Sequence, residues 1–118
     1  MQYMLLAYVD ENAFQKMTPE QQKQGYGAYQ AFIEALKKAG AYNASGRLQP
    51  TSTATTVRVT NGKTQVLNGP YVETKEQLGG YFLIDAPDLD AALSWATRCP
   101  ASNHGTVEVR PIWAMQPS

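Results

Sequence analysis

The chain has 118 residues and a mass of 13.0 kDa, the size of one domain, which gives no reason to look for a second. With 43% hydrophobic and 17% charged residues it has the balance of a globular chain, which excludes a disordered one. Ten basic residues against ten acidic ones give zero net charge, so general binding to nucleic acid or to anionic membranes, which needs a basic excess, is not expected.

The N-terminal run Met1 to Val9 is apolar, but it has no basic flank and no small-residue cleavage pattern, and Asp10-Glu11-Asn12 follows at once. It reads as a first strand, and a cytoplasmic protein is expected. Thr18-Pro19-Glu20-Gln21 then offers a helix cap, Pro at the first helical position and Gln three residues after the cap. Tyr29, Phe32, Ile33 and Leu36 recur at helical spacing, and Gly40 supplies the stop. Strands follow at 43–49 and 53–60; Asn61-Gly62 is a two-residue hairpin turn that returns the chain along 63–67. A further strand over 80–85 leads to a second helix, capped by Asp88 and ended near Cys99-Pro100. Thr106 to Trp113 is the last strand, and the Pro-containing tail beyond it reads as loosely held. The order β-α-β-(hairpin)-β-α-β predicts a ferredoxin-like α+β sandwich, a single domain over 1–118 with an extra hairpin.

Two strands are apolar on both faces. Tyr3, Leu5, Ala7 and Val9 oppose Met4, Leu6 and Tyr8; Phe82 and Ile84 oppose Tyr81 and Leu83. Two helices cover only one face of a sheet, so the other lies either under a long loop or, the reading favoured by so much apolar surface, against a second copy in a homodimer. On the last strand Val107, Val109 and Trp113 share one face, and Trp95 and Trp113 read as core or interface anchors. Glu108 and Arg110 share the other and would project between the two sheets, paired with each other or with Arg47. A polar set inside an apolar cleft is the usual form of a small-molecule site. Arg47, Tyr71, Glu108 and Arg110 are therefore the candidate ligand-binding residues for a small polar ligand.

The segment Asn68-Gly69-Pro70-Tyr71-Val72-Glu73-Thr74-Lys75-Glu76-Gln77-Leu78-Gly79-Gly80-Tyr81 gathers acid, amine and phenol between a turn and a Gly-Gly hinge. Extended, it places Tyr71, Glu73 and Lys75 on one side; as a helical turn it pairs Glu73 with Glu76. Glu73 and Lys75 are the candidate catalytic pair, able to transfer a proton or to clamp a carboxylate. A solvated charged loop is the alternative reading of the same residues. No nucleophile triad, metal-ligand cluster or phosphate-cradling glycine loop is present, so no metal and no cofactor are expected. A single cysteine, Cys99, excludes an internal disulfide and reads as an inert thiol, and the lone His104 reads as a solvated loop residue.

Asn68-Gly69-Pro70-Tyr71, Glu73-Thr74-Lys75-Glu76, Gly79-Gly80-Tyr81, Pro87-Asp88-Leu89-Asp90 and Val107-Glu108-Val109-Arg110-Pro111 together resemble the DGPF branch of the YCII-related family. Tyr3-Met4-Leu5-Leu6 and Leu48-Gln49-Pro50 extend the likeness over nearly the whole chain. The resemblance implies a small bacterial domain that pairs into a dimeric α+β barrel. It brings a proposed enzymatic activity and, through sigma-factor fusions in some members, a link to transcription initiation. Asn68 and Tyr71 stand where the branch has Asp and Phe, and Asn keeps the turn chemistry without offering a carboxylate base. In the YCII branch a helix-borne His and an Asp before Pro look like an acid/base pair. Here those positions fall near Tyr29 and at Cys99, before Pro100, and supply neither group. Three readings follow: an acid–base enzyme, a ligand-binding or regulatory module, or a dimer whose charges are structural.

Overall fold

The computed structural model describes residues 1–114, so the tail read as loosely held lies outside the described residues apart from Ala114. Four strands, β1 (Gln2–Val9), β2 (Tyr42–Arg47), β5 (Gln77–Asp85) and β6 (Thr106–Pro111), form one antiparallel sheet in the order β2-β5-β1-β6. That is the connectivity of the ferredoxin-like split β-α-β unit. Two strands, β3 (Thr55–Thr60) and β4 (Lys63–Asn68), form a separate hairpin that is not part of this sheet.

Helix α2 (Pro19–Lys38) starts where its chemistry requires. The Thr18 hydroxyl accepts from the Gln21 backbone, and the Gln21 side chain accepts from the Thr18 amide in return. Gly25 and Gly27 do not interrupt it, and Gly40 (φ 71°) turns the chain beyond its end. Helix α3 (Leu89–Arg98) is capped by Asp88 on the Ala91 amide. Both helices pack on one face of the sheet. Phe32 and Leu36 of α2 and Ala92 and Ala96 of α3 join Leu5, Phe82 and Ile84 in a single buried core. Phe32 meets Phe82 edge to face at 5.0 Å.

The short helix α1 (Glu11–Gln15) was not expected; Asp10 caps it by accepting from the Asn12 and Ala13 amides. Gly79 and Gly80 are not a hinge, because β5 begins at Gln77 and runs through them. A Cβ at Gly80 would lie 2.8 Å from the Gly46 carbonyl oxygen, so glycine is what lets β2 approach β5 there. Trp113 is not an anchor within this chain. The ladder ends with Pro111 and the Ile112 amide bonded to Gln2, and Trp113, 93% exposed, lies beyond it. Trp95 does border the core, beside Phe32.

On the open face Met4, Leu6, Tyr8, Leu78, Tyr81 and Leu83 are half-buried by one another. Gly46 makes room for the Tyr81 ring, which a Cβ would meet at 2.8 Å. The molecule is flat, 51 × 46 × 18 Å.

Candidate functional site

A cavity of about 490 Å³ lies between α1, the first half of α2 and the helix-facing side of the sheet. It sits beside the core rather than inside it, and Ala7 and Gly80 on the sheet leave space there that larger side chains would fill. Phe14, Tyr26, Tyr29 and Phe82 wall it, and Tyr29 stacks on Phe82 with ring planes 7° apart. Gly25, one turn before Tyr29, keeps the α2 wall low.

Arg47 is the distinctive polar group. It stands at the end of β2, exposed at the cavity edge, and its Nη1 donates to the Tyr26 hydroxyl at 2.8 Å. The guanidinium lies 4.6 Å from the centre of the Tyr26 ring and 5.0 Å from that of Phe14, a cation–π arrangement that fixes its position. The two carboxylates lining the cavity are committed elsewhere. Glu11 accepts from the amide and hydroxyl of Thr51, both at 2.8 Å, and Asp10 caps α1. Among the described residues Arg47 therefore forms no ion pair.

Tyr29 lies close enough to Cys99 to feel its charge. Burial pushes the Tyr29 phenol up to about 12; the Cys99 thiol adds to the rise and Arg47 opposes it. Burial likewise raises the Cys99 thiol, against a smaller opposing hydrogen bond from the Ala101 backbone. At neutral pH both groups keep their protons. Cys99 is a buried thiol with little thiolate character, and Tyr29 can donate a hydrogen bond but cannot accept a proton. These are the two positions expected to correspond to the family's acid/base pair, and the fold does bring them together. His104 borders the same cavity from an exposed loop position.

The other candidates are dispersed. Glu108 and Arg110 pair as expected, at 3.7 Å, and the Tyr8 hydroxyl donates to Glu108 at 3.4 Å. Arg47 does not join them: β2 and β6 are opposite edges of the sheet, and Arg47 faces the helices while Glu108, opposite Leu6, faces away. Tyr71, Glu73 and Lys75 lie in the irregular segment between β4 and β5, all exposed and none lining the cavity. That segment forms neither a strand nor a helix. Tyr71 instead packs under Arg58 of the hairpin, 5.4 Å from ring centre to guanidinium. The cavity walls Phe14 and Tyr26 were missed. The helical spacing of Tyr26, Tyr29 and Ile33 was visible in the sequence, but α1, which carries Phe14 to them, was not.

A YCII-related domain model matches residues 1–116. The chain belongs to the YCII-related family. An uncharacterised protein of Rhizobium meliloti (strain 1021), R00369, is 37% identical over 119 aligned residues, covering 99% of this chain and 96% of that protein. In fold, the chain is similar to 5-chloro-2-hydroxyhydroquinone dehydrochlorinase (TftG) from Burkholderia phenoliruptrix AC1100, solved in complex with 2,5-dihydroxybenzoquinone. The TM-score is 0.56 at 16% identity, covering 98% of this chain and 96% of that one. At that identity the likeness is one of fold. Among the described residues no helix is long and apolar enough to cross a membrane, and no group of three or more His, Cys, Asp or Glu side chains could hold a metal ion.

Proposed function

We propose that this YCII-related domain binds a small planar molecule, largely apolar with one anionic group, in the cavity between α1, α2 and the sheet. The observation that carries this reading is Arg47: a guanidinium held by two aromatic rings at the edge of an aromatic-walled cavity, with no carboxylate of its own among the described residues. An arginine so placed can take a carboxylate with two parallel hydrogen bonds. The Tyr29 phenol, which keeps its proton to about pH 12, would supply a donor deeper along the same wall.

The geometry favours binding over acid–base chemistry by Glu73 and Lys75, because both are exposed and stand outside the cavity. The apolar open face supports a homodimer, with Met4, Leu6, Tyr81 and Leu83 set against a second sheet as in a dimeric α+β barrel. The Asn68-Gly69-Pro70-Tyr71 segment supports membership of the DGPF branch, and a link to sigma-factor-dependent transcription rests on that resemblance alone.

The test is a melting-temperature screen against aromatic carboxylates such as benzoate and hydroxybenzoates, with 2,5-dihydroxybenzoquinone, the ligand of the fold neighbour, as a further probe. A carboxylate present at 100 times its Kd should stabilise the protein by about 2.7 kcal/mol. Arg47→Gln should remove that gain while the unliganded protein melts as before. The reading falls if no carboxylate in the panel raises the melting temperature, or if Arg47→Gln binds as well as the wild type.

A further inference from the structure

Gly25 sits on the inner stripe of α2, half-buried between Gln22 and Tyr29, where the neighbouring positions carry large side chains. Glycine is the poorest helix former after proline, so an interior glycine weakens the helix that holds it. Packing does not require it here: Gly25 has no positive φ, and a Cβ would meet nothing within 4 Å. What the missing side chain leaves is space. Gly25 lines the cavity from α2 as Ala7 and Gly80 line it from the sheet, so roof and floor are both cut back almost to the backbone.

That space runs beneath α2. Tyr26 and Ile33 line the cavity from one flank of the helix, and Gln21 and Ala28, which helical spacing puts on the other flank, line it too. The sheet carries the path across. Arg47 pairs with Gly80, Gly80 with Ala7 and Ala7 with Val107, a row that crosses all four strands. Three strand spacings put the ends of this row about 14 Å apart. Arg47 stands at one end, bonded to Tyr26. Just before β6, at the other end, stands His104, which lines the same cavity. With both side chains lining it, the length left between them suits two fused rings in line. The volume, about 490 Å³, is that of a site for a drug-sized ligand, and a single ring does not fill it.

We propose that the cavity is a channel beneath α2, roofed by Gly25, and that its ligand is a planar two-ring aromatic acid with its carboxylate on Arg47 and a hydroxyl or carbonyl on His104. The inference rests on the Arg47 reading above and adds the length of the ligand and its second polar end. The imidazole offers either a donor or an acceptor, so it suits a neutral polar group. The rings lie between Gly25 and the floor of Ala7 and Gly80, where larger side chains would close the channel.

The experiment is a calorimetric titration with benzoate, 2-naphthoate and 6-hydroxy-2-naphthoate. Naphthoate should bind at least about tenfold tighter than benzoate, because its second ring is buried under α2. The hydroxyl should tighten binding by a further factor of about two to ten, and His104→Ala should remove that gain. Gly25→Leu fills the channel and should abolish the preference for the two-ring acid. Its melting temperature should match or exceed that of the wild type, since leucine favours the helix, so the lost preference is not a lost fold. Gly27→Leu makes the same exchange on the exposed side of α2, outside the cavity, and should keep the preference. Benzoate bound as tightly as naphthoate, or a preference that survives Gly25→Leu, overturns the channel and leaves the Arg47 reading standing. A hydroxyl that adds nothing, or adds as much in His104→Ala, overturns the assignment of His104. Binding of none of the three acids overturns this inference and the Arg47 reading together.

Discussion

The sheet layer and the hairpin arm β3–β4 are made from the same kinds of residue and reach opposite ends. β1 and β5 fill their helix-facing side with Tyr3, Leu5, Ala7, Phe82 and Ile84, all buried, while β3 and β4 leave Val57, Val59, Val66 and Leu67 in water. Apolar residues in an extended segment therefore do not by themselves say whether a strand belongs to a core. What separates the two regions is coverage: α2 and α3 lie over one, and among the described residues nothing lies over the other. Stability is concentrated in the sheet layer.

The largest expected effect tests that contrast directly. Leu36, fully buried on the inner face of α2, should cost about 2–5 kcal/mol when replaced by alanine, whereas Val66→Ala should change the monomer by under about 0.5 kcal/mol. Denaturant melts of the two variants at a concentration where the chain is monomeric are the measurement. A loss at Val66 approaching that at Leu36 would mean that the arm belongs to the core after all.

The next effect is a matter of backbone spacing. Gly80→Ala would set a methyl group 2.8 Å from the Gly46 carbonyl, a backbone atom that cannot swing aside. β2 must then move from β5, at a cost of about 1–3 kcal/mol. Because Gly80 also lines the cavity, carboxylate binding should weaken along with stability. Thermal melts and ligand titrations on one preparation would show whether the two losses travel together.

Much of the sheet layer was legible in advance because its signals are local. Thr18 with Gln21, Asp88 as cap and the apolar run of β1 each announce one element within a few residues, as Asn61-Gly62 does for the hairpin outside that layer. The strand order then follows from the β-α-β-β-α-β sequence of elements. The candidate site was less legible because it depends on distance. Arg47 and Glu108 lie on opposite edges of the sheet, a separation set by strand order and not by anything near either residue. The cavity depends on α1, whose five residues are too few to show a helical period and whose start rests on Asp10 alone. The charged loop carrying Glu73 and Lys75 drew attention because its residues are reactive types, whereas the Arg47 site is defined by the rings around it.

Two smaller effects sharpen the picture within the sheet layer. Thr18→Ala removes one half of the capping box and should cost about 1 kcal/mol, read in a denaturant melt, with no effect on the arm. Tyr29 predicts a pH dependence whose sign follows from its raised pKa. In the unfolded chain the phenol ionises near 10.0, in the folded chain near about 12, so folding favours the neutral form. Its contribution is fully present below pH 10 and is lost as pH climbs through 12. Tyr29→Phe should therefore flatten the alkaline fall in melting temperature over that window, and ultraviolet titration of the variant should lack the latest-ionising phenol.

The smallest effect lies on the open face. Arg110 and Glu108 are 69% and 45% exposed and 3.7 Å apart, so in a monomer their coupling should be no more than about 0.5 kcal/mol. Sheet-to-sheet pairing would change that, because covering the pair removes the water that screens it. A double-mutant cycle of Glu108→Gln and Arg110→Gln, run below and above the dissociation constant, should give a larger coupling in the concentrated sample. Equal couplings at both concentrations would place β6 outside any contact between copies.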